Sequence, residues 1–196
     1  MKGPKNDYRS KYTQMIVKQT LLKLLADKPL NKIRVAELCT AADINRGTFY
    51  NHFYDVFDVY ESIENSFFNE IKAKLVNIRG DEIDRPFFKE IMVLIQENAA
   101  LADLLLIKDN GNSEFLNGII AFVKDKFVRE WAERHRQISH DLLEQIFSYN
   151  ANGSIGIISD WVRSQMKQSP DEISDLIVEL NNLILAKYFP KTDAVK

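Results

Sequence analysis

The stretch from Val35 to Phe53 has the sequence VAELCTAADINRGTFYNHF and decides the fold. Its pattern predicts a short helix over 35–41, a tight turn over 42–44, and a further helix that Asn45 caps and that reaches Phe53. Two short helices joined by a turn of roughly three to four residues form a helix-turn-helix. The sequence therefore predicts this motif near the start of the chain.

The second helix of the motif has two different faces. Phe49 and Phe53 are four residues apart, so both lie on one side of the helix, toward the core. The other side then presents hydrogen-bonding residues and one glycine: Arg46, Gly47, Thr48, Tyr50, Asn51 and His52. A short helix with such a face is suited to contacts with DNA phosphates and base edges.

Gly47 and Cys39 each allow two interpretations. A glycine inside a helix costs about 1 kcal/mol relative to alanine, so the close approach of a phosphate backbone is one reason for Gly47, and a frayed first turn is the other. Cys39 lies where the two helices cross and a small residue is needed. It is interpreted as a core residue, with a redox switch as the alternative.

The charge of the chain is unevenly distributed. Residues 1–60 carry ten Lys and Arg against six Asp and Glu, a net charge of +4, whereas the remaining residues carry sixteen against twenty-two, a net charge of −6. A basic first part on an acidic remainder favours contact of that first part with phosphates. The composition, 45% hydrophobic and 28% charged, is that of a globular protein.

The motif resembles the recognition-helix signature of the TetR family of bacterial transcriptional regulators. The resemblance covers Tyr12 to Ile71 and is carried by Ala42, Ile44, Asn45, Arg46, Gly47, Thr48, Phe49, Tyr50, His52 and Phe53. It implies that the DNA-binding residues are Arg34, Asn45, Arg46, Gly47, Thr48, Tyr50, Asn51 and His52. Within that set, the family implies phosphate contacts for Arg34, Thr48, Tyr50 and His52, and a place against the major groove for Arg46, Gly47 and Asn51.

Two residues depart from the family pattern. Asp43 stands where glycine is usual, and aspartate tolerates a left-handed turn better than most residues, so we expect the turn to form. Val56 stands where many members have a phosphate-binding lysine. One backbone contact is then missing, which predicts weaker or less salt-dependent DNA binding.

The rest of the chain predicts helices alone. Helical periodicity continues over 56–78, 87–107, 114–134, 141–167 and 170–188, and Ser169 and Glu172 form a capping box before the last of these. The predicted fold class is all-α, with a three-helix helix-turn-helix DNA-binding domain (1–54) joined to a C-terminal helical bundle (55–196) that senses a ligand and dimerises.

The C-terminal part supplies two further predictions. Its aromatic residues suggest a ligand pocket, for which Phe88, Phe122, Phe147 and Trp161 are the candidates. The family layout implies that the last two helices form a dimer interface, and the last helix carries a matching apolar stripe: Leu176, Ile177, Leu180, Leu183, Ile184 and Tyr188. The glycines at 153 and 156 indicate a surface that another helix approaches closely.

These observations predict a ligand-responsive transcriptional regulator, a repressor that binds a palindromic double-stranded DNA operator as a homodimer. The alternative is a TetR-like activator or co-regulator that acts through a protein partner.

We expect no enzymatic activity, cofactor or metal site, since His135 and His140 are five residues apart and helical ligands are spaced by three or four. The lone cysteine and the lack of a ~20-residue apolar run predict a cytoplasmic protein outside the membrane. The small-molecule effector is not specified by the sequence.

Overall fold

The computed structural model describes residues 4–75, 85–108 and 114–189, and all regular structure in these ranges is helical, as predicted. The α-helices are α1 Pro4–Asp27, α2 Val35–Ala41, α3 Arg46–Tyr50, α4 Val56–Leu75, α5 Arg85–Glu97, α6 Ala99–Asp103, α7 Glu114–Arg134, α8 His140–Arg163 and α9 Pro170–Tyr188. A 3₁₀ turn at Leu30–Lys32 precedes α2, and a π-helical turn at Leu104–Lys108 follows α6. In these ranges, no helix combines the length and the apolar character that a membrane span requires.

The chain packs as two compact units, Met1–Asn69 and Glu70–Lys196. The division lies inside α4, whereas the sequence predicts a domain boundary after Tyr54. The first part of α4 belongs to the packing of the first unit because it contributes buried apolar side chains there, among them Val59, Ile63 and Phe67. The functional division at 54/55 stays a prediction.

The first unit has a core to which each of its helices contributes. Its fully buried side chains are Val17, Leu21, Leu38, Phe49 and Val59. Lys18 adds a polar link between α1 and α4, since its Nζ donates to the Ser62 carbonyl and to Ser66 Oγ, both at 3.1 Å. Partial burial lowers the pKa of Lys18. These contacts hold the helix-turn-helix against its neighbouring helices.

The second unit is a helical bundle in which α5 packs on α9, and α8 packs on both α7 and α9. Its aromatic centre is Trp131, which is almost fully buried. The ring centroid of Trp131 lies 5.9 Å from that of Phe127, 6.4 Å from that of Phe147 and 5.1 Å from that of Phe189. This cluster joins α7 and α8 to the residue that follows α9.

Several predicted helix starts are confirmed. Asn45 Oδ1 accepts a hydrogen bond from the Thr48 amide at 2.7 Å, and Asp55 Oδ1 accepts one from the Asp58 amide at 2.9 Å. The capping box before α9 is complete, because the Glu172 carboxylate also accepts from the Ser169 amide at 2.7 Å. Side-chain oxygens at these positions satisfy amides that a helix start leaves without partners.

The prediction of one helix over 87–107 is wrong. The helix breaks at Asn98, where φ is −113° and ψ is 37°. The Asn98 side chain donates to the Leu94 carbonyl at 2.9 Å, and its backbone amide is shared between the carbonyls of Leu94 and Ile95. A side chain that competes for backbone carbonyls in this way interrupts a helix.

Two predicted helix ends are also too late. α3 ends at Tyr50 and not at Phe53, since the His52 amide turns back to the Phe49 carbonyl. α8 ends at Arg163 and not at 167, because Gln165 and Met166 have positive φ values of 62° and 54°. The Met166 amide then bonds to the Trp161 carbonyl at 2.9 Å, which closes the end of the helix. The residues predicted to extend α4 to position 78 lie outside the described residues.

Candidate functional site

The turn between α2 and α3 sets the angle of the candidate DNA-contacting helix. Asp43 has φ 52°, so it adopts the left-handed conformation that the sequence predicts for this position. The Ile44 amide bonds to the Cys39 carbonyl at 3.0 Å across the turn. Leu38 and Ala42 are buried beneath it, so the turn rests on the core of the first unit.

Asn45 and Gly47 are linked at the start of α3. The Asn45 side chain uses its Oδ1 as the helix cap, and a Cβ added to Gly47 would lie 3.2 Å from that atom. This distance is tighter than most Cβ contacts, so a side chain at position 47 would press on the cap. The Asn45 cap therefore favours glycine at position 47, in addition to the two explanations that the sequence suggests.

The two faces of α3 differ as predicted. Phe49 and Phe53 are buried, and their ring centroids lie 5.9 Å apart. The residues predicted to contact DNA are on the surface of the first unit: Arg34, Asn45, Arg46, Gly47, Tyr50 and Asn51 are exposed, and Thr48 and His52 are half-buried. Because Arg34 begins α2 and the others follow the turn, the structure brings all eight together around one motif.

His52 has a neighbour that the sequence does not reveal. Its Nδ1 lies 3.5 Å from Ser10 Oγ on α1, at the limit of a hydrogen bond. One ring nitrogen is thus directed to α1, which leaves Nε2 as the atom for an outside partner. The contact joins residues far apart in the chain, so no local pattern signals it.

Val56 and Cys39 are both buried. The position at which many family members carry a lysine is therefore part of the core here, and Val56 has no polar group to offer a phosphate. Burial raises the pKa of the Cys39 thiol, and the nearby Arg46 opposes that shift. A buried thiol with a raised pKa is a poor nucleophile, which favours the core interpretation of Cys39 over the redox one.

The second unit contains a cavity of about 160 Å³. Aliphatic and aromatic side chains of α4, α5, α7 and α8 form most of its wall: Ile71, Leu75, Phe87, Phe88, Ile91, Ile119, Ile120, Val123, Phe127, Trp131, Phe147, Ala151, Ile155 and Ile158. The polar residues of the wall are Asn150 and Ser154 on α8 and Asn181 on α9. The three were not among the candidates; their signal is a polar residue at an otherwise apolar helix position.

The four predicted pocket residues separate into two pairs. Phe88 and Phe147 line the cavity. Phe122 is not in its wall, and the Lys72 ammonium lies 4.8 Å from its ring centroid in a cation–π contact. Trp161 is buried elsewhere, and its indole Nε1 donates to the Gln168 carbonyl at 2.9 Å, which fastens the connection to α9.

The last helix, α9, exposes several large apolar side chains. Leu176, Leu180, Leu183 and Tyr188 of the predicted stripe are exposed, whereas Ile177 is in the core and Ile184 is half-buried. A groove lies between α8 and α9, and Gly153 is one of its lining residues. Apart from the backbone of α8 itself and the adjacent residues, no described atom lies within 4 Å of a Cβ built on Gly153 or Gly156, so α8 is open to a close approach there.

The two histidines weighed as metal ligands have other neighbours. The His135 ring stacks on Phe189 with centroids 4.3 Å apart, and His140 Nδ1 lies 3.8 Å from Glu144 Oε1. Across the described part of the chain, no three His, Cys, Asp or Glu side chains are grouped closely enough to hold a metal ion.

The sequence of the second unit matches a family model of the TetR type that is described as "Transcriptional regulator C-terminal region", over residues 85–183. This match spans about half of the chain. No curated protein sequence matches the chain.

The fold is similar to several solved structures. One is described as "Dihydroxyacetone kinase operon activator DhaS", with 22% identity, a TM-score of 0.60, and coverage of 90% of this chain and 96% of that chain. A TetR-family transcriptional regulator from Syntrophomonas wolfei has 15% identity, a TM-score of 0.64 and the same coverage. FadR from Bacillus subtilis, in complex with stearoyl-CoA, has 13% identity, a TM-score of 0.60, and coverage of 85% and 96%. At these identities the similarity concerns the fold.

Proposed function

Because the chain belongs to the TetR family of transcriptional regulators, we propose that it is a homodimeric repressor that binds a palindromic operator and releases it when a small molecule binds the second unit. The observation that carries this proposal is α3, which buries Phe49 and exposes Arg46, Tyr50 and Asn51 on a short, capped helix. In this account residues 1–54 bind DNA, and residues 55–196 sense the ligand and dimerise.

The DNA-binding role is supported by the exposed polar face of the helix-turn-helix. The guanidinium of Arg46 and the amide of Asn51 suit base edges in the major groove, where donors and acceptors identify the base pair. The hydroxyls of Thr48 and Tyr50, the His52 ring and the side chain of Arg34 suit phosphates, which position the protein without reading sequence. Asn45 acts mainly as the cap that orients α3.

The homodimer is supported by the exposed apolar residues of α9 and by the open glycines of α8. Large apolar side chains such as Leu183, at 64% exposed, together with open glycines are a surface that a second copy can cover. A twofold dimer presents two copies of α3 to two half-sites, which is why a palindrome is expected.

The ligand response is supported by the cavity in the second unit. A small molecule weakens operator binding if it binds more tightly to the conformation whose α3 helices do not match the half-sites. No enzymatic role is proposed. A cytoplasmic location follows from access to DNA.

The second candidate is an activator or co-regulator that works through a protein partner. It is favoured by the similarity in fold to a protein described as an operon activator. The two candidates differ in whether the dimer needs another protein to bind DNA.

Selection of bound sequences from random double-stranded DNA by the purified protein tests the proposal. Recovery of a palindrome without any added protein supports a DNA-binding dimer. Recovery of no sequence, followed by a gel shift only with an added partner, supports the second candidate instead. Transcription from the recovered operator in vitro then gives the sign of regulation.

A further inference from the structure

The size of the cavity in the second unit indicates the size of the group that it can surround. Its volume is about 160 Å³. An apolar cavity of roughly 150 Å³ lined by leucine, isoleucine and phenylalanine stays dry and binds benzene. The cavity, which is partly open, therefore has room for a single aromatic ring, or for a branched hydrocarbon of that size, as the group that it surrounds.

The wall also limits the charge of the ligand. None of the described residues that line the cavity is ionisable. An ionised group placed there would lose its hydration without gaining a counter-charge, which is strongly unfavourable. The enclosed part of the ligand is therefore neutral.

The side-chain oxygen of Asn150, a residue of this wall, accepts no hydrogen bond from the described residues. The residue is only 6% exposed, and its Nδ2 donates to the Ile146 carbonyl at 2.9 Å. This bond fixes the orientation of the amide, since the opposite orientation would set Oδ1 against a carbonyl oxygen. Among the described residues, no donor reaches Asn150 Oδ1.

The other two polar residues of the wall, Ser154 and Asn181, donate hydrogen bonds to other acceptors. Ser154 Oγ donates to the Asn150 backbone carbonyl at 2.8 Å, and Asn181 Nδ2 donates to Ser154 Oγ at 3.0 Å. Neither donor is directed to Asn150 Oδ1. A buried carbonyl oxygen of this kind favours any partner that brings it a donor.

We propose that the cavity binds a neutral, ring-sized ligand with one hydrogen-bond donor, such as a phenol, and that this donor bonds to Asn150 Oδ1. The inference rests on the proposed function, since it gives the chemical class of the effector of the second unit. The apolar wall supplies the affinity for the ring, and Asn150 supplies the selectivity for the donor.

Asn150 also borders the groove between α8 and α9, so a donor from a second copy is the competing occupant. The cavity is favoured for a ring-bearing ligand because its wall is aliphatic and aromatic apart from Asn150, Ser154 and Asn181.

Calorimetric titration of the full chain with phenol and toluene, without DNA, tests the inference. The two probes differ by a hydroxyl in place of a methyl group. We expect both to bind, and we expect Asn150→Leu to lower the phenol-to-toluene affinity ratio about tenfold, the value of one buried hydrogen bond. In wild-type protein, we expect phenol to shift the NMR resonances of the Asn150 side-chain amide by more than the ring-current shift that toluene causes, a result that needs no variant.

Two control variants accompany the titration. Asn152→Leu is matched, because Asn152 Nδ2 makes the same bond to the carbonyl four residues earlier, at 2.7 Å, yet lies on the surface; we expect an unchanged ratio. Ala151→Leu narrows the cavity and abolishes binding of both probes.

Two results would overturn the inference: no binding of either probe to wild-type protein, or a phenol-to-toluene affinity ratio unaffected by Asn150→Leu. In the second case, a loss of dimer affinity in that variant would assign the oxygen to the second copy. Because ligand binding is measured without DNA, failure of the operator selection alone would contradict the proposed function and leave this inference standing.

Discussion

The proposed phosphate contact of Tyr50 can be tested by a substitution that leaves the fold unchanged. Its side chain is 58% exposed, and its ring meets Phe49 edge-on at 5.4 Å. Tyr50→Phe keeps the ring and removes the hydroxyl, so we expect an unchanged melting temperature and a loss of affinity of about tenfold on every DNA sequence, as for one hydrogen bond to a charged phosphate. Fluorescence titration on matched and mismatched operators measures it. A loss confined to one operator would assign the hydroxyl to a base.

The effect of a side chain at position 47 on stability is predicted to depend on the Asn45 cap. Alanine favours a helix over glycine by up to about 1 kcal/mol, but its Cβ would crowd the Asn45 cap, which is worth about the same. We therefore expect Gly47→Ala to stabilise the protein in an Asn45→Ala background and to stabilise it less, or to destabilise it, in the wild type. Urea unfolding of the two single variants and the double variant gives the coupling free energy. A coupling of zero would remove the reason that the structure gives for Gly47.

At the candidate site, the sequence predicts which face of α3 a residue occupies, but it does not predict contacts between helices. The burial of Phe49 and Phe53 and the exposure of Arg46 follow from helical spacing, because spacing alone determines which face a residue occupies. The contact between His52 and Ser10 does not, since it joins two helices that no local pattern relates.

At the scale of helices, the start of α9 predicts a pH-dependent stability. Hydrogen bonds from Ser169 lower the pKa of Glu172 from 4.5. A carboxylate whose folded pKa is lowered stabilises the fold above its unfolded pKa and loses that contribution as the pH falls through the folded value. We expect Ser169→Ala to cost about 1 kcal/mol at neutral pH, and less below pH ~4.

Ser139→Ala is the matched control, because Ser139 caps α8 through the Leu142 amide and has no glutamate at the equivalent position. It should destabilise the protein by a similar amount at both pH values. Thermal unfolding at pH 7 and at about pH 3 compares the two variants. An equal pH dependence would mean that Glu172 does not respond to Ser169.

The sequence predicts where helices lie better than it predicts where a helix is interrupted or which groups a side chain contacts. The bounds of α2 and α7 match the sequence prediction because apolar spacing and caps are local signals. The sequence does not reveal the break at Asn98, because asparagine occurs within helices as well as at their ends, and only its hydrogen bond to the Leu94 carbonyl distinguishes the two. Trp161 is predicted as a pocket residue because composition does not identify the partner of its indole, the Gln168 carbonyl.

At the scale of the whole molecule, Leu183 tests the proposed dimer. Leu183→Glu places a charge on the exposed face of α9, so we expect a folded monomer at micromolar concentration, with operator affinity reduced at least tenfold because a single α3 helix makes half the contacts. Sedimentation velocity and circular dichroism measure the two properties. Gln137→Glu introduces the same change in charge at an exposed loop position and should remain dimeric. A dimer that persists in Leu183→Glu would place the interface elsewhere.

The most direct test of the central claim, that a dimer reads DNA through α3, is the selection of bound sequences by wild-type protein and by Arg46→Ala in parallel. The account predicts a palindrome for the wild type and, for the variant, relaxed preference at one symmetric position in each half-site, equivalent to about 1 to 3 kcal/mol of lost discrimination. Arg129→Ala, an exposed arginine on α7, should retain the wild-type sequence. An identical palindrome for Arg46→Ala at undiminished affinity, or no enriched sequence for the wild type, would contradict it.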